Sequence, residues 1–310
     1  MTRRLVLILF SYLLFPLTVV FVGIDQFFDF GIMSQLPEVP EYWLWFNFIF
    51  NTPHVVATNL LVHSDDSWNE YKQRFLVGWA VVFTITMVAF YILRWKYFLY
   101  VYSLLTLKHI ILQQFSLTYM VGMKRAWLNR VWMSTGLAIG LVIYWEVYKN
   151  YDINLPHSHV ILTSLLVLFA FASIYLFSKS QGLNLKRMVA ANSGMIVSSY
   201  FSFILGGGFL TVLAVRAVHD ITGFVHYVEV FKTRRLENKS AGWYNFAYKI
   251  LKSDWAASLG VPVLIVILML VFIPQGREKM SLLMMMSLMH YYLESFTWKS
   301  GSSYRRQLKP

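Results

Sequence analysis

Long apolar runs constrain the fold of this chain more than any other feature. Runs of about 18 to 25 mostly apolar residues recur along its 310 residues, without the period-two alternation of barrel strands. A helix can cross lipid because it satisfies its own backbone hydrogen bonds. Only 14% of the residues are charged, against about 25% in an ordinary soluble domain. The sequence therefore predicts an all-α, polytopic integral membrane bundle that forms one transmembrane domain over residues 1–310.

The apolar runs predict about ten membrane spans. Their approximate bounds are 5–23, 42–62, 75–93, 97–121, 131–148, 159–178, 188–206, 209–231, 256–273 and 280–298. If the N-terminus is cytoplasmic, cytoplasmic segments carry about 20 Lys and Arg residues and the opposite side about 5. This asymmetry favours an N-in, C-in topology. We expect the first run to be retained as a helix, and the protein to reside in a bacterial inner (cytoplasmic) membrane.

The positive net charge of +12 is assigned to membrane orientation, because much of it lies in short loops. We therefore expect no nucleic-acid partner. The longest loop, 232–254, is both basic and aromatic. Two interpretations of it stay open, an amphipathic helix on the cytoplasmic leaflet and a solvated connection.

Four histidines fall near the midpoints of predicted spans, namely His54, His109, His219 and His290. Their spans are all even-numbered and so run in the same direction. Each histidine lies within about two residues of its span midpoint, which at a rise of about 1.5 Å per residue predicts a common plane to within about 3 Å. Ionisable residues are costly inside a membrane and by default indicate a functional site.

Polar side chains recur one helical turn beyond these histidines. Glu294 follows His290 by four residues, and Thr58 follows His54 by four. Residues at this spacing point the same way, so each pair can serve one cavity.

Imidazole and carboxylate ligands together favour a transition metal. Among the transition metals, carboxylate ligands favour iron or manganese. The chain has no cysteine, which excludes cysteine-ligated zinc and iron–sulfur clusters. We therefore predict non-haem iron, mono- or dinuclear, with another transition metal as an alternative. The predicted ligands are His54, His109, His219, His226, His290 and Glu294. Asp220 and Glu294 are the predicted catalytic carboxylates. The alternative is that these histidines form helix–helix hydrogen bonds.

Two cations lie within predicted spans, Lys108 and Arg216. We predict that they bind the polar head group of a lipid-like substrate. A structural ion pair is the alternative, with Asp220, Glu229 or Glu294 as the partner.

The histidines and their acidic neighbours within short-looped spans resemble those of the His-rich polytopic membrane metalloenzymes. These families include the fatty acid desaturases and hydroxylases and the bacterial carotenoid-cleaving dioxygenases. The His-x-x-x-His and His-x-x-His-His boxes of the desaturases do not occur in this sequence. The carotenoid dioxygenases are the closer analogue, because their histidines lie within the helices. The resemblance implies a helical membrane fold and a non-haem iron oxygenase.

The sequence predicts a membrane-embedded, metal-dependent oxygenase, hydroxylase or desaturase that acts on an apolar small molecule. No reductase domain is recognisable, so an electron-donor protein is a possible partner. Three other functions stay open: a proton-coupled transporter, a haem-binding protein and a structural subunit of a membrane complex.

Overall fold

The fold was obtained as a computed structural model, which describes residues 3–36, 51–62, 65–124, 126–147, 157–237, 242–272 and 277–297. Within these ranges all regular secondary structure is helical, which confirms the prediction of an all-α protein. The α-helices are α1 (Arg3–Ser11), α2 (Leu14–Phe28), α3 (Thr52–Val62), α4 (Asp65–Ile92), α5 (Trp95–Met120), α6 (Trp127–Val147), α7 (Ser158–Lys179), α8 (Leu183–Ile204), α9 (Gly208–Leu236), α10 (Gly242–Leu251), α11 (Asp254–Phe272) and α12 (Arg277–Thr297).

Several helices have the length and apolar composition of membrane spans, as expected for a membrane protein. Four candidates meet both criteria: Arg3–Phe28, Tyr71–Ile92, Ser158–Lys179 and Gly208–Leu236. A fifth would be the pair α10 and α11, which is bent by 114° at its break. The ten-span count and the N-in, C-in orientation stay predictions.

The first candidate span is interrupted because of Pro16. A proline has no N–H, and its ring clashes with the carbonyl four residues earlier, which here belongs to Tyr12. The chain accordingly makes a turn at this point, with hydrogen bonds from Leu13 N to Phe10 O at 3.1 Å and from Phe15 N to Tyr12 O at 3.2 Å. The helical path resumes as α2.

The chain divides into two compact units. The first comprises Met1–Leu44 and Ser103–Ile221, and the second comprises Trp45–Tyr102 and Thr222–Pro310. Two of the three boundaries fall within the helices α5 and α9. The prediction of a single transmembrane domain stays a prediction.

In the first unit, α6 packs against α7 and α8, and α8 also packs against α1 and α2. Two glycines at four-residue spacing bring α6 close to α5. A Cβ atom on Gly136 would lie 2.6 Å from Phe115 Cζ, and one on Gly140 would lie 2.4 Å from Ile111 Cδ1. This small-xxx-small spacing is the usual way in which membrane helices approach closely.

In the second unit, α3 packs against α4, α11 and α12, and α4 packs against α12. The contact between α4 and α12 is a hydrophobic core of Tyr71, Phe75, Met289 and Leu293. Because Met289 and Leu293 face this core, α12 is fixed in rotation about its axis. That rotation decides where His290 and Glu294 point.

The basic and aromatic loop 232–254 contains α10. This helix buries Tyr244 and Ala247 and exposes Phe246 and Ile250. Arg235 donates two hydrogen bonds to the Asp254 carboxylate, at 3.0 and 3.1 Å, and the Tyr244 hydroxyl donates a third at 2.7 Å. An amphipathic helix is therefore present, and its place on a membrane surface stays a prediction.

Candidate metal centre

The predicted ligands His54, His290 and Glu294 come together in the second unit. His54 lies near the start of α3, directly after Pro53. His290 and Glu294 lie one turn apart on α12. Both imidazoles are fully buried, and the carboxyl side chain is 2% exposed.

A hydrogen bond one turn before the two histidines ties α3 to α12. Asn51 Nδ2 donates to Ser287 Oγ at 3.1 Å, and Ser287 Oγ donates onward to the Leu283 carbonyl at 3.0 Å. Each of Asn51 and Ser287 precedes its histidine by three residues. The bond therefore fixes the register of the two helices close to the imidazoles.

The three side chains lie at distances typical of shared coordination. His290 Nε2 is 3.5 Å from Glu294 Oε2, and His54 Nε2 is 3.9 Å from Glu294 Oε1. The two imidazole rings meet edge to face, with centroids 4.6 Å apart. Ligand atoms that each lie about 2.1 Å from one ion are at most about 4.2 Å apart, so both nitrogen–oxygen distances fit a common ion.

The helix α9 packs directly against the His54 ring at Gly223. A Cβ atom on this residue would lie 2.0 Å from His54 Cε1 and 2.6 Å from Nδ1. Tyr227, one turn later, stacks on the same ring with centroids 5.1 Å apart, and Phe224 meets its edge at 5.7 Å. Glycine therefore makes room for the imidazole, and the aromatic rings hold it in place.

Tyr227 also fixes the carboxylate. Its hydroxyl donates to Glu294 Oε1 at 2.6 Å, and Thr58 Oγ1 makes a close hydrogen bond to the same hydroxyl. An ionised carboxylate only accepts, so the tyrosine donates to it and accepts from the threonine. One carboxylate oxygen is thereby occupied, while Oε2 is the oxygen nearer to His290.

Among the described residues of the second unit, the side chains that could hold one metal ion are those of His54, His290 and Glu294. Their ligand atoms lie within 4.8 Å of one another. The predicted ligand His219 belongs to the first unit and lies on α9 four residues before Gly223, and its role as a ligand stays a prediction. The buried group of two imidazoles and one carboxylate in the second unit has the composition of a metal site; the identity of the metal is a separate question.

The other predicted histidine ligands are placed differently. His109 is half-buried on α5, and its ring lies edge-on to that of His219 within the first unit, with centroids 5.2 Å apart. His226 is buried on α9, one residue before Tyr227. Neither belongs to the group of potential ligands among the described residues. Their roles as ligands stay predictions.

The predicted substrate-binding cations differ in environment. Lys108 is exposed on α5. Arg216 is buried, and its Nε atom lies 3.4 Å from Asp220 Oδ2, one turn along α9. This contact favours the ion-pair alternative for Arg216 and places the predicted catalytic Asp220 beside a cation. The head-group and catalytic roles stay predictions.

Tyr227 and Gly223 are the functional candidates that the sequence patterns missed. A midspan tyrosine carries no metal-ligand signature, and an isolated helical glycine has many explanations. A usable signal exists in the spacing, because His219, Gly223 and Tyr227 recur every four residues and so share one face of α9.

Comparison with known proteins gives no match, whether to a family model, a curated protein or a solved structure. The function must therefore be inferred from the residues and geometry of the chain itself.

Proposed function

We propose that this protein is a membrane-embedded, non-haem iron enzyme that oxidises an apolar, lipid-like substrate as an oxygenase, hydroxylase or desaturase. The observation that carries the proposal is the buried group of His54, His290 and Glu294. Two histidines and one carboxylate with open coordination positions are typical of non-haem iron(II) oxygenases. The absence of cysteine from the sequence supports the same class of metal.

Each of these residues has a definite task in the proposal. His54 and His290 supply neutral nitrogen ligands, and Glu294 supplies a negative oxygen ligand that offsets part of the charge of the ion. A bound iron would supply the activation of dioxygen.

The residues around the ligands hold the ligand side chains in a fixed orientation. The hydroxyl of Tyr227 holds Glu294 Oε1 and so directs Oε2 toward His290. Hydrogen bonds of this kind tune metal affinity by about 10- to 100-fold. The burial of all three ligands excludes bulk water from the ion, which suits chemistry on an apolar molecule.

The packing on His54 supports non-haem metal over a haem. The backbone of α9 at Gly223 and the ring of Tyr227 both lie against the imidazole. A porphyrin plane on the His54 nitrogens would need the space that these groups fill.

The membrane setting completes the proposal. About ten spans with N-in, C-in topology in a bacterial inner membrane would let an apolar substrate and dioxygen reach the ion from the lipid. An electron-donor protein would be a partner if the reaction consumes external electrons.

The test is oxygen consumption by purified protein loaded with iron(II) in lipid nanodiscs. Polyunsaturated phospholipids and a long conjugated polyene serve as substrates, with a chemical reductant present or absent. Products are identified by mass spectrometry after reaction in ¹⁸O₂, which separates oxygen insertion from desaturation. We expect substrate-dependent oxygen uptake by the wild-type protein.

A matched pair of histidine variants gives the control. His290→Ala removes a ligand, whereas His159→Ala removes an exposed histidine at the start of α7. We expect uptake to fall to background in His290→Ala and to persist in His159→Ala. Equal uptake in both variants would refute the proposal, and a Soret band in the purified protein would favour haem instead.

A further inference from the structure

A second candidate site lies in the first unit, in a groove between the start of α6 and the second half of α7. Its volume is about 1050 Å³. Buried Met123, Ala172 and Leu176 are among the residues that line it. Trp127 and Phe171, which are 72% and 70% exposed, also line it. The groove therefore presents aromatic surface that nothing within the described part of this unit covers.

The apolar lining follows a helix that could cross a membrane. The helix α7 is one of the candidate spans, and its residues Leu168, Phe171, Ile174 and Tyr175 line the groove. From Leu168 to Lys179 the helix rises by about 16 Å. A surface of this length and composition on a spanning helix lies against acyl chains.

The two ends of the groove differ in polarity. Polar side chains line the end where α7 stops and α6 starts: Lys124, Ser178, Lys179 and Gln181. Both lysines are exposed. Lys179 Nζ lies 5.9 Å from the centroid of the Tyr175 ring, and Trp127 also lines the groove. Aromatic residues of this kind are enriched at the level of lipid head groups.

The charge of this end determines the kind of occupant. The segments around Lys124 and Lys179 belong to the predicted cytoplasmic side, where anionic lipids give the leaflet a negative surface potential. Two lysines beside an apolar groove complement a molecule with a negative phosphate and a long acyl chain. A free phosphate would contact only the lysines, and an uncharged hydrocarbon would contact only the apolar lining.

We propose that the groove between α6 and α7 is a binding site for an anionic phospholipid, with an acyl chain along Phe171 and Ile174 and the phosphate between Lys124 and Lys179. The site is independent of the candidate metal centre, since all of its residues lie in the first unit. Binding at this groove would make the protein prefer membranes that contain anionic phospholipid. The metal chemistry does not require such a preference.

The test is native mass spectrometry of the full-length protein in detergent. Phosphatidylglycerol and phosphatidylcholine with identical acyl chains are the two probes. We expect one phosphatidylglycerol to bind more tightly than phosphatidylcholine. Excess inorganic phosphate should not displace it, because phosphate lacks the acyl chain.

Lysine variants identify the site. Each lysine near an anionic head group contributes about a fivefold gain in affinity, so Lys124→Ala/Lys179→Ala should weaken phosphatidylglycerol about 30-fold and leave phosphatidylcholine unchanged. The control, Lys232→Ala/Lys249→Ala, removes two exposed lysines of the second unit and should leave the first bound phosphatidylglycerol unaffected.

Three results would overturn the proposal: equal affinity for the two lipids, undiminished binding by Lys124→Ala/Lys179→Ala, or equal loss in the control pair. Thermal unfolding without added lipid shows whether each variant is folded. If the double variant does not fold, Lys124→Gln and Lys179→Gln are measured singly, and about fivefold weakening by each is required.

Discussion

Replacing Gly223 by alanine tests how closely the ligand His54 is held. The added Cβ atom would lie 2.0 Å from His54 Cε1, a separation that the ring must increase by more than about 1 Å to reach ordinary contact. The imidazole is fully buried and contacts the rings of Phe224, Tyr227 and His290, so this movement must displace its neighbours. We therefore expect Gly223→Ala to displace the His54 nitrogens from the candidate ligand positions.

The expected magnitudes separate metal binding from folding. Overpacking costs about 1–3 kcal/mol, and the better helix propensity of alanine returns about 1 kcal/mol, so the net loss of stability is about 0–2 kcal/mol. Metal–ligand bonds tolerate only about 0.2 Å of error. A shift of about 1 Å should therefore weaken iron binding by at least about 100-fold while the protein stays folded.

The assay is a titration of iron(II) into the metal-free protein in detergent under argon, with thermal unfolding measured in parallel. Gly194→Ala on α8 is the matched control, since the Cβ atom that it adds meets nothing within 4 Å apart from its chain neighbours and the nearby backbone of its own helix. That variant should bind iron like the wild type and gain up to about 1 kcal/mol of stability. If Gly223→Ala binds iron with unchanged affinity, His54 is not a ligand and the reasoning is refuted.

Three further predictions follow from the same contacts. Tyr227→Phe keeps the ring that stacks on His54 but removes the hydroxyl that holds Glu294, so iron affinity should fall about 10- to 100-fold in the same titration; an unchanged affinity would show that the hydroxyl does not orient the carboxylate. Trp132→Ala removes a fully buried indole that donates to Ser173 Oγ at 2.9 Å, so thermal unfolding should show a loss of about 3–5 kcal/mol with iron binding retained; a loss below about 1 kcal/mol would contradict the packing. Free iron(II) at 100 times its dissociation constant should stabilise the protein by about 2.7 kcal/mol, and a chelator should reverse the gain; no shift in the melting temperature would argue against binding to the folded state.

The sequence predicted the helices well because long apolar runs are a strong signal. The runs 159–178 and 209–231 correspond to α7 and α9, which extend over Ser158–Lys179 and Gly208–Leu236. The first run, 5–23, lies within the candidate span Arg3–Phe28, which makes a turn before Pro16. The number of spans depends on the place of each helix in the membrane, which neither the runs nor the helix bounds decide.

The depth of the histidines along their helices anticipated that His54 and His290 lie close together. Helical spacing also related Glu294 to His290 and Thr58 to His54, and both pairs meet at Tyr227. Depth alone cannot say which way a helix is rotated, however. The exposed position of Lys108 is set by the packing of α5, and this contact information is not present in one sequence.

The central claim is most directly tested by measuring the metal content of the purified protein and its variants by inductively coupled plasma mass spectrometry, after reconstitution with iron(II). Three variants each remove one proposed ligand: His54→Ala, His290→Ala and Glu294→Ala. We predict one or two irons per chain in the wild type and in His159→Ala, and loss of iron in all three ligand variants. A folded wild-type protein without stoichiometric metal, or full iron content in the ligand variants, would contradict the proposed metal centre.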